Sequence, residues 1–222
     1  MTARISDTKI PDAPAAPRRG GRPSREQAGK IGDKILDAAA FLFFHEGYGA
    51  TSIEEIARRA RVSKRTFYAR FDGKPDIFRA VVRRIVAHVR PADMDGVSNL
   101  FAGDDIDAVL RRVAQVILHG ALSPEALALN RIIIAEASRF PELAMIVTEQ
   151  GMRAEAISRI ADALRHCHAD ARIDPVFAAE QFLLMLITAP QRRAYGLGVP
   201  MTKDEIAAWI TNTVDLFLNG VR

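Results

Sequence analysis

A single cysteine, Cys167, occurs in the 222 residues, so no internal disulfide can form, and this usage fits a reducing compartment. Long hydrophobic runs are also missing. The longest, FLLMLITAP at 182–190, is bounded by Gln181 and by Gln191, Arg192 and Arg193, far short of the roughly 20 apolar residues that cross a bilayer. The amino terminus has no apolar signal-peptide core, so a cytoplasmic location is expected. No segment sustains period-two alternation and no internal repeat is visible, so the chain reads as all-α. Without strands there is no strand-borne phosphate loop, and no nucleophile motif occurs. Neither enzymatic activity nor a cofactor is expected.

A metal site is not expected either. His166, Cys167 and His168 form the one metal-like run, but successive helical residues point about 100° apart, so three neighbours cannot converge on one ion. Cys167 is expected to pack among apolar groups, with the histidines near a helix end where a cation is tolerated. His45, His88 and His119 are isolated.

What the chain does have is charge, unevenly placed. Residues 1–90 carry 19 Lys or Arg against 10 Asp or Glu, whereas residues 91–222 carry 12 against 17. The basic part is the one suited to a polyanion. Residues 1–23, rich in Pro, Ala, Gly and Arg without apolar periodicity, read as a disordered basic arm. Ile31, Ile35, Leu36, Ala39, Leu42 and Phe43 then recur at helical spacing, and Gly47 is placed to end that helix in a left-handed cap. Thr51 with Glu54 matches a capping box that opens a second helix. A break at 61–63 precedes a third, from Lys64 to about Arg70, and Pro75 opens a fourth that runs to Arg90. Beyond an acidic loop at 92–103, helices are expected near 104–120, 124–138, 142–168, 175–195 and 203–219, with Gly151 and Pro190 as points of bending or breakage.

Two short helices joined by a three-residue turn make a helix-turn-helix arrangement within 51–74. Its second helix is too short to be stable alone, and Phe67 and Phe71, one turn apart, anchor it. Lys64, Arg65 and Tyr68 then face outward with Thr66 at the boundary, offering donors to guanine edges and phosphates. Lys74 is expected near the DNA backbone, and Ser63 is expected to cap the helix and donate to a phosphate.

The run ILDAAAFLFFHEGYGATSIEEIARRARVSKRTFYARFDGKPDIF, Ile35 to Phe78, resembles the DNA-binding domain of the TetR family of transcriptional regulators. The matching features are AA-x-x-LF-x-x-x-GY, T-S-I-x-x-IA, VS-K-x-T-x-Y-x-x-F and K-x-x-x-F. The resemblance implies an all-helical homodimer with a three-helix DNA-binding domain at 24–74, a connecting helix at 75–91 and a ligand-binding and dimerisation domain at 92–222. By position, it implies that Lys64, Arg65, Thr66 and Arg70 contact bases or nearby phosphates. Ser63, Tyr68, Lys74, Thr51 and Ser52 would grip the backbone. RRGGRP at 18–23 resembles Gly-Arg-Pro segments that lie in the minor groove, which Arg19 and Arg22 would enter.

LNRIIIAEASRFPELA at 129–144 and the final helices resemble the AefR-like branch of that family. This implies a dimer seam built from the last two helices, with Phe182, Leu186, Trp209, Val214 and Phe217 as candidates. It also implies an effector pocket, with Leu118, Ile133, Met145, Met152 and Met185 as candidate lining. The expected function is a ligand-responsive regulator, most simply a repressor. It would bind a palindromic operator as a homodimer and be released by a small, largely apolar effector. The helix at 76–90 is the expected lever. The alternative is a helical membrane-surface or protein-interaction module, because IFRAVVRRIVAHVR at 77–90 is basic and amphipathic.

Overall fold

The computed structural model describes residues 25–89, 100–101, 103, 105–167 and 173–220. Every regular element among them is helical: α1 (Arg25–Glu46), α2 (Ile53–Ala60), α3 (Lys64–Tyr68), α4 (Lys74–Val89), α5 (Ile106–Ala121), α6 (Pro124–Glu136), α7 (Glu142–Glu149), α8 (Met152–Cys167), α9 (Pro175–Ala194) and α10 (Lys203–Asn219). The all-α class is as expected. Arg19, Arg22 and His168 lie outside the described residues.

Local chemistry sets most boundaries. Gly47 adopts φ +90°, and its N–H donates to the Phe43 carbonyl at 3.1 Å, closing α1. The capping box of α2 falls one residue later than expected. Ser52 Oγ accepts from the Glu55 N–H and Glu55 Oε2 accepts from the Ser52 N–H, both at 3.2 Å. Thr51 is turned inward instead, only 2% exposed, with its hydroxyl donating to the Gly47 carbonyl at 2.7 Å. At the other end of α2, Arg61 takes the left-handed conformation, φ 56° and ψ 44°, which costs an L-residue roughly 1–2 kcal/mol. Its N–H donates to the Arg58 carbonyl, and the Val62 N–H donates to that of Ala57 at 2.9 Å. The turn thus forms without a glycine.

Two predicted interruptions resolve differently. Gly151, φ +69°, splits the expected 142–168 helix into α7 and α8. Pro190 lies inside α9 without ending it. Proline has no N–H for the carbonyl four residues earlier, here that of Leu186, and the indole Nε1–H of Trp209 on α10 donates to it at 2.9 Å.

The buried side chains form two cores. One joins α1 to α4 around Phe43, Tyr48, Phe67 and Phe78, and is completed by Leu129 and Ile132 of α6 and Leu143 and Ile146 of α7. The other joins α5, α8, α9 and α10 around Leu110, Leu118, Ile160 and Phe182. The two cores do not divide at the connecting helix, since α6 and α7 pack under the first. The apolar face of α4 is turned into that core, with Ile77, Phe78, Val81 and Val82 fully buried and Val86 partly so. It is not available to a bilayer, which counts against the membrane-surface alternative. α4 packs on α1, α6 and α7, with Arg84 paired to Asp37 at 2.6 Å and Arg79 to Glu149 at 3.3 Å.

The five seam candidates all make contacts within the protomer. Phe182, Leu186 and Val214 are fully buried inside the protomer. Phe217 packs on Phe182 with ring centroids 5.0 Å apart, and Trp209 is engaged with Leu186. They hold α10 to α9. The outward surface of this pair carries other residues: Phe177 and Leu184 on α9, 53% and 46% exposed, and Leu216 on α10, 42% exposed.

Candidate nucleic-acid interface

α3 has five residues and is held at both ends of its short length. Ser63 Oγ accepts from the Thr66 N–H at 3.1 Å and shares a 2.8 Å hydrogen bond with the Thr66 hydroxyl. Phe67 is fully buried beneath it, with Phe71 5.6 Å away between centroids. So anchored, α3 turns Lys64, Arg65 and Tyr68 to solvent, with Ser63 exposed at its start and Thr66 and Arg70 half-buried beside it. The outward face read from the sequence is assembled here.

Lys64 has a neighbour the sequence did not announce. Its ammonium pairs with the Glu54 carboxylate of α2, both side chains well exposed. The hydrogen bond from Lys64 holds the Glu54 carboxyl below its ordinary pKa, and the same bond raises that of Lys64. With the capping box formed by Ser52 and Glu55, Glu54 is free of the expected pairing with Thr51 and reaches across the turn to α3.

Three backbone-gripping candidates have other engagements. Lys74 Nζ donates to the carbonyls of Tyr48 at 2.9 Å, Thr51 at 3.0 Å and Gly49 at 3.4 Å. Its ammonium also sits 4.5 Å from the centre of the Tyr48 ring, and burial pushes its pKa down. With three acceptors inside the protein, Lys74 ties the α1–α2 turn rather than reaching outward. The Thr51 hydroxyl is buried on the Gly47 carbonyl, which removes it as a surface contact. The Ser52 hydroxyl donates to Glu55 Oε2 at 2.9 Å within the capping box.

Other cations border α3 that were not picked out from the sequence. A concavity of about 860 Å³ beside it is lined by Lys34 of α1 and by Arg59, Arg61, Ser63 and Thr66, among others. The Arg59 guanidinium lies 3.3 Å over the Phe41 ring, and that ring stacks on His45 at 4.0 Å. These groups come from separate elements and meet only once the helices pack.

The five pocket candidates do not converge. Leu118 is buried in the second core and Ile133 packs against the first. Met145 is 60% exposed and Met152 is exposed at the start of α8, whereas Met185 is half-buried on α9. The reason is that α7 turns Leu143 and Ile146 under the first core, which rotates Met145 away from it. Among the described residues, no group of three His, Cys, Asp or Glu side chains is arranged to hold a metal ion. No helix there is long and apolar enough to cross a membrane.

Comparison with known proteins matches both parts of the chain. Residues 35–81 fit the family model described as bacterial regulatory proteins, tetR family. Residues 108–220, about half of the chain, fit that of the AefR-like transcriptional repressor, C-terminal domain. A TetR-family transcriptional regulator from Mesorhizobium loti MAFF303099 superposes with a TM-score of 0.70 at 28% identity, covering 86% of this chain and 96% of that one. The flavonoid-responsive regulator FrrA superposes with a TM-score of 0.66 at 31% identity and the same coverages. The HTH-type transcriptional regulator AcrR of Shigella flexneri is 29% identical over 149 residues, 66% of this chain and 68% of AcrR. With an anchored basic α3 at one end and the AefR-like helices at the other, the chain belongs to the TetR family of transcriptional regulators.

Proposed function

We propose that the protein is a cytoplasmic, ligand-responsive repressor that binds a palindromic operator as a homodimer and is released by a small, largely apolar effector. The observation that carries this reading is α3 itself: Phe67 is buried beneath a face that presents Lys64, Arg65 and Tyr68 to solvent. A face of that shape and charge fits the major groove. Arg65 and Lys64 reach base edges, with Lys64 leaving Glu54 to do so. Thr66 and Arg70 border them, and Tyr68 and Ser63 donate to phosphates. Arg59, Arg61 and Lys34 add cations along the flanking backbone, and Arg19 and Arg22 take the adjacent minor groove.

A second copy of the chain covers Phe177, Leu184 and Leu216, whose exposure on adjacent helices supports a seam on the outer surface of α9 and α10. Operator reading requires that pairing to hold two α3 helices about 34 Å apart, one turn of DNA. The AefR-like repressor match over 108–220 supports repression. A relative whose name states a flavonoid response supports a small organic effector. Its site is proposed in the second core, bounded by α5, α8, α9 and α10. An effector that prefers a different spacing of the two α3 helices lowers operator affinity by that preference.

The test is selection of bound fragments from genomic DNA with the full chain, followed by affinity measurements across a range of salt. A palindromic site is expected, with log affinity falling steeply against log salt because each neutralised phosphate releases counterion. A monomer that ignores every duplex at low ionic strength refutes the proposal.

A further inference from the structure

The turn between α1 and α2 holds a carboxylate from a distant part of the chain. Glu136, the last residue of α6, accepts from the Tyr48 N–H with Oε1 and from the Gly49 N–H with Oε2, each at 2.6 Å. Successive backbone N–H groups converging on one anion form a strong, geometrically specific seat. Two glycines make room for it. A Cβ at Gly47 would lie 2.7 Å from Glu136 Oε1, and one at Gly49 would lie 2.8 Å from Oε2 and 3.1 Å from the Phe140 ring. From the other side Lys74 gathers the carbonyls of Tyr48, Gly49 and Thr51. The Phe140 ring stands edge-on to Tyr48 at 5.2 Å. Both polar faces of one short turn are therefore occupied, and the residue that follows it, Ser52, caps α2.

We propose that Glu136 is a positioning residue for DNA reading, its carboxylate locking the α1–α2 turn to α6 so that the body sets the angle of α3 through α6 as well as through α4. This rests on the reading of α3 as the DNA-contacting element. The path is contiguous: α3 packs on α2, α2 on α1, and α6 touches α1, α4 and α5. α5 contributes Leu110, Val113 and Leu118 to the second core. A rearrangement there that shifts α6 withdraws the carboxylate from its two amides and frees α2 and α3 to tilt.

Glu136→Gln tests this, since it keeps the size but replaces one acceptor oxygen with a donor. Hydrogen exchange at the Tyr48 and Gly49 amides is expected to quicken by about tenfold or more. Affinity for the selected operator is expected to fall by about tenfold. Binding to a random duplex of equal length, which demands no fixed placement of two heads, is expected to change by less than about twofold. Glu136→Asp, with its carboxylate drawn back by one methylene, is expected to fall between. Unchanged exchange, undiminished operator affinity, or an equal loss on both duplexes overturns the proposal. In the unaltered protein these two amides are expected to exchange as slowly as interior helical ones, and fast exchange there overturns it without any variant. If the unaltered protein binds neither duplex while both amides stay protected, the DNA reading fails and takes the positioning role with it, leaving only a structural clasp.

Discussion

Trp209→Phe tests how α9 tolerates a proline in its interior. The carbonyl of residue 186 would ordinarily accept from the N–H of residue 190, and Pro190 offers none. Trp209 Nε1 supplies the donor at 2.9 Å, and Leu186 has no exposed surface. Removing the indole N–H leaves that carbonyl unpaired away from water, at a cost of about 2 kcal/mol. For a chain of this length that corresponds to a fall in Tm of about 4–8 °C, followed by circular dichroism. Pro190→Ala returns a helical N–H to the same carbonyl. In that background, Trp209→Phe is expected to cost at least about 1 kcal/mol less than in the native one. If the two substitutions add within about 0.3 kcal/mol, the carbonyl does not depend on the indole and the reasoning is wrong. Trp209 is the one tryptophan in the chain, so its fluorescence reads the same contact in the unaltered protein.

Other substitutions separate the roles assigned above. Arg65→Ala is expected to cost about 1–3 kcal/mol and alter the preferred sequence, whereas Tyr68→Phe weakens all duplexes alike; identical selection profiles for the two would contradict the division between base and phosphate contacts. Leu184→Asp is expected to give a helical monomer in sedimentation, while Phe182→Asp unfolds the second core; a stable Leu184→Asp dimer would place the seam elsewhere. Glu54→Gln releases Lys64 from its partner and is expected to tighten binding several-fold at low salt, measured by anisotropy. A weaker complex would mean that Glu54 aims Lys64 at the DNA.

The face of α3 was legible because its causes are local. Ser63 caps three residues ahead, and Phe67 beneath fixes which side chains turn outward. The start of α2 was harder, since TSIEE holds two overlapping capping boxes, Thr51 with Glu54 and Ser52 with Glu55. Thr51 is decided by its burial against Gly47, a packing outcome that spacing does not encode. The outward side of α9 was hard to read for a related reason. α9 is apolar over a wide arc, with Phe177, Leu184, Phe182 and Leu186 all on one helix, and periodicity alone does not say which side meets a neighbouring copy. The inward turn of Lys74 was not legible because its acceptors lie more than 20 residues back. Glu136 could not have been found at all, since its partners stand 87 and 88 residues away.

Because Leu129, Ile132, Leu143 and Ile146 help to close the core around Phe43, Tyr48 and Phe78, the chain has no clean seam for scissors after residue 90. A fragment cut there would bare a greasy wall and is expected to precipitate. Hybrid regulators built by stitching this front end onto a foreign back end would inherit the same defect. An engineer seeking new operator specificity does better to repaint the outer side chains of α3, or to carry residues 124–149 along with the graft.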